Sequence, residues 1–172
     1  TRATEKLGGL QTPGPDGVIE GHRQPDHRRA MVEKHNLPAE DGYSDYRTMF
    51  ADAKRTGLQA VSIALPNTFH APVAIAALKA GLHVLVEKPM ATTAAEARKM
   101  QQAAKVAKRT LTINFSYRFE PESRAMKRVM ESGELGEIYF GRTVWHRRRG
   151  WPGMGIGSWF GNKAMSGGGP LM

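Results

Sequence analysis

The stretch Ala60–Ala91, AVSIALPNTFHAPVAIAALKAGLHVLVEKPMA, decides the fold. Two short apolar runs, Ala60–Leu65 and His83–Val86, flank an alanine-rich segment of helical composition. Strand, crossover helix and strand make a βαβ unit, which implies an α/β class built on a parallel sheet. Each run gives way to polar residues: Pro66-Asn67-Thr68-Phe69-His70 after the first, Glu87-Lys88-Pro89 after the second. Ligands of open parallel sheets bind beyond the carboxyl ends of the strands, and both clusters fall there.

Inside this unit Pro72 is expected in the first helical turn, where its missing N–H costs nothing. Gly81 is expected with positive φ just past the helix end. Downstream, Thr93-Ala94-Ala95-Glu96 has the form of a capping box. It opens a helix to about Lys108, with Ala97, Met100, Ala104 and Ala107 at helical spacing, and Leu111–Asn114 is the next strand. Upstream, Ser44 to Lys54 predicts a helix with Tyr46, Met49, Phe50 and Ala53 on one face. Asp26 to His35 suits another helix, capped by Asp26. Pro38 to Gly42 reads as a loop, and Thr1 to Gly17, rich in Gly, Pro and charge, as irregular.

Beyond Phe119 the character changes. Pro121 to Ser132 is amphipathic, with Met126, Val129 and Met130 apolar, and Glu137 to Arg147 alternates as a half-buried strand. The expected organisation is an irregular segment over 1–17, a ligand-binding α/β domain over 18–119, and the start of a second domain over 120–172.

The 172 residues suit one ordinary domain or one plus part of another. A net charge of +9 favours anionic ligands such as phosphorylated cofactors, acidic metabolites or nucleic acid. The absence of cysteine excludes disulfide and thiolate chemistry. No apolar run approaches the roughly 20 residues of a membrane span, and no apolar leader opens the chain, so a cytoplasmic protein without a membrane partner is expected.

Each polar cluster has two readings. Asn67 can bond a ribose or phosphate beside a helix N-terminus, or serve as the turn former of an ordinary βα loop with His70 on the surface. Lys88 can protonate a substrate oxygen where burial and cationic neighbours favour it, or form a solvated pair with Glu87. The basic run His146–Arg149 between Trp145 and Trp151 suggests nucleic acid, yet no nucleic-acid fold motif accompanies it, so solvated arginines and no nucleic-acid partner are expected. Gly167-Gly168-Gly169 reads as a tail or as a close backbone approach to a ligand. There is no HExxH, GxSxG, GKS or GKT.

In combination these stretches resemble the Gfo/Idh/MocA oxidoreductases. The matching text is YSDYRTMF, the Ala60–Ala97 block, INFSYRFEP, SGELGEIYFGRTVWHRR and SGGGPL, from about Gly42 to Met172. The resemblance implies a Rossmann-type parallel sheet followed by an α+β substrate domain with an open antiparallel sheet. It further implies NAD or NADP as cofactor, a sugar, polyol or related hydroxyl substrate, and a homo-oligomer for the full-length form. It places Pro66, Asn67, His70, Glu87, Lys88, Pro89 and Asn114 at the cofactor, and makes Lys88 the catalytic lysine. Tyr117, Arg118, Trp145 and Arg147 would lie on the substrate side.

Two departures accompany the matches. Nothing before Val18 resembles the first strand and glycine-rich turn of the family, and the Asp and His that follow GGGPL in the family are not in this sequence. The expectation is an incomplete sheet in a truncated chain that oxidises no sugar alone. The alternative is a non-catalytic remnant acting as a binding or oligomerisation module.

Overall fold

The computed structural model describes residues 25–34, 39–144, 146 and 159–168. Described residues up to Asn114, together with 159–168, form one unit, and those from Phe115 onward up to Trp151 a second.

The first unit is built on β1 (Ala60–Ile63), β2 (His83–Glu87) and β3 (Leu111–Asn114), parallel and in that order across the sheet. Ile63 stands opposite Val86, and Glu87 opposite Asn114, so the carboxyl ends of the strands are level. Helix α1 (Pro25–Lys34) precedes a short 3-10 turn at Ala39–Asp41, α2 (Tyr46–Ala51) and α3 (Ala53–Thr56). Helix α4 (Asn67–Lys79) joins β1 to β2, and α5 (Ala94–Ala107) joins β2 to β3.

Alternation along the strands sends Val61, Ile63, Val84 and Val86 into one core with Val73, Ala74, Ala77 and Leu78 of α4 and Met100 of α5. The alanines of α4 let its backbone approach the sheet closely. Burial of each larger aliphatic side chain contributes about 1.5–3 kcal/mol. Tyr46, Met49, Phe50 and Ala53 join the same core, on the face expected for them.

The punctuation follows local chemistry. Gly81 takes φ +83°, its N–H bonds the Leu78 carbonyl, and the Leu82 N–H bonds that of Ala77. This double closure satisfies the last carbonyls of α4 and needs a left-handed residue. Thr93 Oγ1 accepts from the Glu96 N–H at 3.2 Å, whereas the Glu96 carboxylate accepts from Thr92 Oγ1 at 2.7 Å. The capping box is therefore made on one side, with Thr92 taking the reciprocal contact.

Several expectations are corrected. Pro72 lies one turn deeper than expected, because Pro66-Asn67-Thr68-Phe69-His70 winds into the helix instead of remaining a loop. Pro66 is the N-cap and Pro72 sits inside α4, exposed on its outer face. The Ser44–Lys54 helix divides at Asp52, whose carboxylate accepts from Tyr43 Oη at 2.5 Å and Arg55 Nε at 2.7 Å. Asp45, not Ser44, caps α2. Asp26 lies within the first turn of α1, and not before it.

Described residues 159–168 belong to the first unit, although the sequence suggested the second domain for them. A 3-10 turn at Trp159–Gly161 leads into α7 (Lys163–Ser166), which packs on α4.

The second unit holds a 3-10 turn at Ser116–Phe119 and α6 (Pro121–Glu131). Met126, Val129 and Met130 of α6 are all exposed. The strand expected over Glu137–Arg147 is not formed at described residues 137–144 and 146, where Tyr139 is 95% exposed. Period-two alternation prepares a surface, but a strand also needs a neighbour for its ladder hydrogen bonds. No strand lies beside this segment among the described residues of its unit.

Candidate functional site

The two polar clusters come together at the carboxyl edge of the sheet. Glu87 is the last residue of β2 and Asn114 the last of β3, and Asn114 Nδ2 donates to Glu87 Oε1 at 2.6 Å. The other carboxylate oxygen of Glu87 has no hydrogen bond among the described residues. Lys88 follows at once, exposed, and its Nζ makes neither a hydrogen bond nor an ion pair among the described residues. The burial expected around Lys88 is thus not supplied by those residues, and the solvated Glu87–Lys88 pair is not formed either. The Lys88–Pro89 peptide is cis.

Asn67, in the first turn of α4, is buried at 8% exposure. Its Nδ2 donates to the Ser166 carbonyl at 2.7 Å, while its Oδ1 has no hydrogen bond among the described residues. Buried polar atoms are rarely left unpaired, so this acceptor suits an incoming donor. His70, one turn on, is fully buried. Its Nε2 lies 2.8 Å from the Leu65 carbonyl and its Nδ1 2.7 Å from the Pro89 carbonyl. His70 is therefore not on the surface, as the ordinary-loop reading expected, and both its ring nitrogens face main-chain carbonyls. Pro66 is buried as the cap of α4.

Sequence reasoning missed the segment that covers Asn67. Gly167 ends α7 with φ +80° and donates its N–H to the Lys163 carbonyl at 2.8 Å. A Cβ there would stand 2.6 Å from Thr92 Cβ. Gly167 is thus a close backbone approach to the loop after β2, and not a tail. Ser166 and Gly167 touch residues 99 and 75 positions away, and nothing local in the sequence marks such pairs.

Tyr117 and Arg118 lie in the second unit, both exposed, with the Arg118 guanidinium 5.1 Å from the Phe115 ring centre. Trp145 and Arg147 lie outside the described residues. Among the described residues no group of three His, Asp or Glu is placed to hold a metal ion. No described helix is long and apolar enough to cross a membrane.

A parallel α/β sheet with acceptors and an unpaired cation at its carboxyl edge defines a nucleotide-binding class of domain. Residues 4–115 match Gfo/Idh/MocA, described as an oxidoreductase family with an NAD-binding Rossmann fold, and the chain belongs to that family. It is 40% identical over 112 residues to D-glucoside 3-dehydrogenase of Escherichia coli (strain K12), across 65% of this chain and 31% of that protein. Over 126 residues it is 35% identical to inositol 2-dehydrogenase of Corynebacterium glutamicum (strain R), across 72% and 36% respectively. The chain spans about a third of the length of these curated relatives.

Among solved structures, an inositol dehydrogenase homolog from Azotobacter vinelandii complexed with NADH and myo-inositol matches with TM-score 0.63 and 35% identity. That match covers 67% of this chain and 31% of the other. Aldose–aldose oxidoreductase from Caulobacter crescentus, complexed with glycerol, matches with TM-score 0.70 and 29% identity over 87% of this chain and 43% of that one.

The residues present offer hydrogen-bonding atoms of the kind a bound dinucleotide would need. Asn67 Oδ1 and the second Glu87 oxygen are acceptors awaiting hydroxyl or amide donors, and Lys88 supplies an unpaired amine beside them in sequence.

Proposed function

We propose that this chain carries the nicotinamide-side half of a hydride-transfer site acting on a sugar, polyol or related hydroxyl compound. The observation that supports it best is the unpartnered Lys88 amine directly after Glu87 at the carboxyl end of β2, in a chain of this family. Glu87, Pro66, Asn67, Pro89 and Asn114 would hold NAD or NADP, with the Glu87 carboxylate accepting from ribose hydroxyls and Asn67 Oδ1 from an amide or hydroxyl. The dinucleotide, when bound, supplies the hydride acceptor. Lys88 Nζ would accept the proton of the substrate hydroxyl in the oxidising direction and return it in the reducing direction. Tyr117, Arg118, Trp145 and Arg147 would bind the substrate, and the full-length form would be a homo-oligomer.

Titration of NADH and NADPH into the chain, followed by energy transfer from tryptophan, tests the binding half. Saturable binding is expected, weakened about tenfold by Glu87→Ala through loss of a charge-assisted hydrogen bond. No saturable binding of either dinucleotide overturns the reading. Where an inositol and aldose panel shows turnover, Lys88→Ala should lower kcat by about 10²–10⁴-fold.

The exposed apolar residues Met126, Val129 and Met130 of α6 favour a second reading, a non-catalytic binding or oligomerisation module. A stable oligomer in light scattering, without dinucleotide binding, would select it.

A further inference from the structure

His70 is the one candidate cofactor residue whose polar atoms are both taken up by the protein. Its ring spans the exits of two adjacent strands, with Leu65 two residues past the end of β1 and Pro89 two past the end of β2. A neutral imidazole donates one N–H and satisfies one carbonyl, and a doubly protonated ring satisfies both. Protonated on Nδ1, the ring donates to the Pro89 carbonyl and ties the loop after β2 to α4; only a doubly protonated ring bonds the Leu65 carbonyl as well.

That tie matters because the other contacts of the loop lie farther along it: Met90 and Ala91 pack against the core, and Thr92 Oγ1 donates to Glu96. Outside the sheet ladder, no backbone–backbone hydrogen bond involves residues 88–92 among the described residues. Lys88 Nζ has no partner there either, so its side chain does not fix it. The bond to the Pro89 carbonyl acts on the residue next to Lys88, where it sets the course of the main chain. A displacement of about 1 Å at a reacting group can cost about 10²-fold in rate.

We infer that His70 is a positioning residue, which holds the Lys88 loop to α4 by donating from Nδ1 to the Pro89 carbonyl and touches neither cofactor nor substrate. The inference rests on the proposed role of Lys88. The clamp itself can be read without turnover, by backbone relaxation of the whole chain, so failure of one is distinguishable from failure of the other.

In folded His70→Phe, the backbone order parameters of residues 88 and 90–92 should fall from the rigid range of about 0.85 to below about 0.6, the range of a flexible loop. Those of α5 should be unchanged, and His70→Gln, which keeps a donor, should lie between. Unchanged order at 88 and 90–92, or an equal fall throughout α5 and β2, overturns the clamp. If His70→Phe does not fold, His70→Gln and the ring itself decide. A solvent-protected Nδ1–H with cross-relaxation to Pro89 is expected, and a ring protonated on Nε2 alone overturns the proposal.

In turnover, His70→Gln should lower kcat about tenfold, and an unchanged kcat in a variant whose loop has loosened overturns the positioning role. If loop order responds as expected while Lys88→Ala keeps full kcat, the clamp stands and the role of Lys88 falls.

Discussion

Leu78 of α4 and Met126 of α6 are both apolar residues at helical spacing, yet Leu78 is fully buried and Met126 is 64% exposed. Helix α4 has a sheet to lie on, with β1 and β2 presenting Val61, Ile63, Val84 and Val86 to it. Helix α6 has a far more distinct apolar stripe than α4, which is apolar nearly all round, but no sheet in its own unit among the described residues. Amphipathic patterning specifies which face is to be covered. The energy comes only from the covering surface, because the hydrophobic term scales with area removed from water.

This contrast can be broken most directly by truncation. Leu78→Ala should cost about 2–5 kcal/mol in a denaturant melt, since it opens a cavity in a closed core. Met126→Ala should stay within about 0.5 kcal/mol, as for surface positions generally. Equal losses at the two sites would show that α6 is covered in solution.

A smaller effect is expected where 159–168 meets the first unit. Gly167→Ala forces a side chain into the left-handed region and against Thr92, at a cost of about 1–2 kcal/mol. Limited proteolysis should then cut within Trp159–Gly168 sooner than in the unsubstituted chain, while cleavage within α4 is unaltered. Unchanged protection would show that Thr92 yields and that the approach is not close in solution.

The smallest effect concerns the break between α2 and α3. Burial, then the hydrogen bond to Asp52, raise the Tyr43 phenol above its ordinary value of 10.0, while the Arg55 guanidinium pulls the other way. A group whose folded value is raised contributes stability that is present below pH 10.0 and lost as pH rises through the folded value. Thermal melts should therefore show a fall in stability above pH 10.0 that is shallower in Tyr43→Phe. An identical fall in both would remove Tyr43 as its source.

Much of the first unit was legible because its signals are local. Strand ends at Glu87 and Asn114 follow from short apolar runs closed by polar residues, and Gly81 from a chain reversal that only a left-handed residue makes cheaply, whereas β1 stops at Ile63, two residues before its apolar run does. The helix start was misread by one turn because Pro66 and Pro72 are both acceptable early in a helix, and only the packing of Asn67 and His70 inward chooses between them. In the candidate site, Glu87, Lys88 and Asn114 could be placed at the sheet edge from register alone. The commitment of Asn67 to Ser166 and of His70 to two carbonyls could not, because those partners are brought together only by folding.

The sequence by itself determined the βαβ unit, its parallel sheet and the position of Lys88 after β2. These depend on period, punctuation and chain order, all of which act over a few residues. Only the tertiary structure decided which polar groups at that edge are spent within the protein and which remain available. Hydrogen-bond partners at the ends of separate strands and helices are set by the approach of distant segments. Lys88 and Glu87 keep unpaired atoms among the described residues, whereas both ring nitrogens of His70 are turned to main-chain carbonyls.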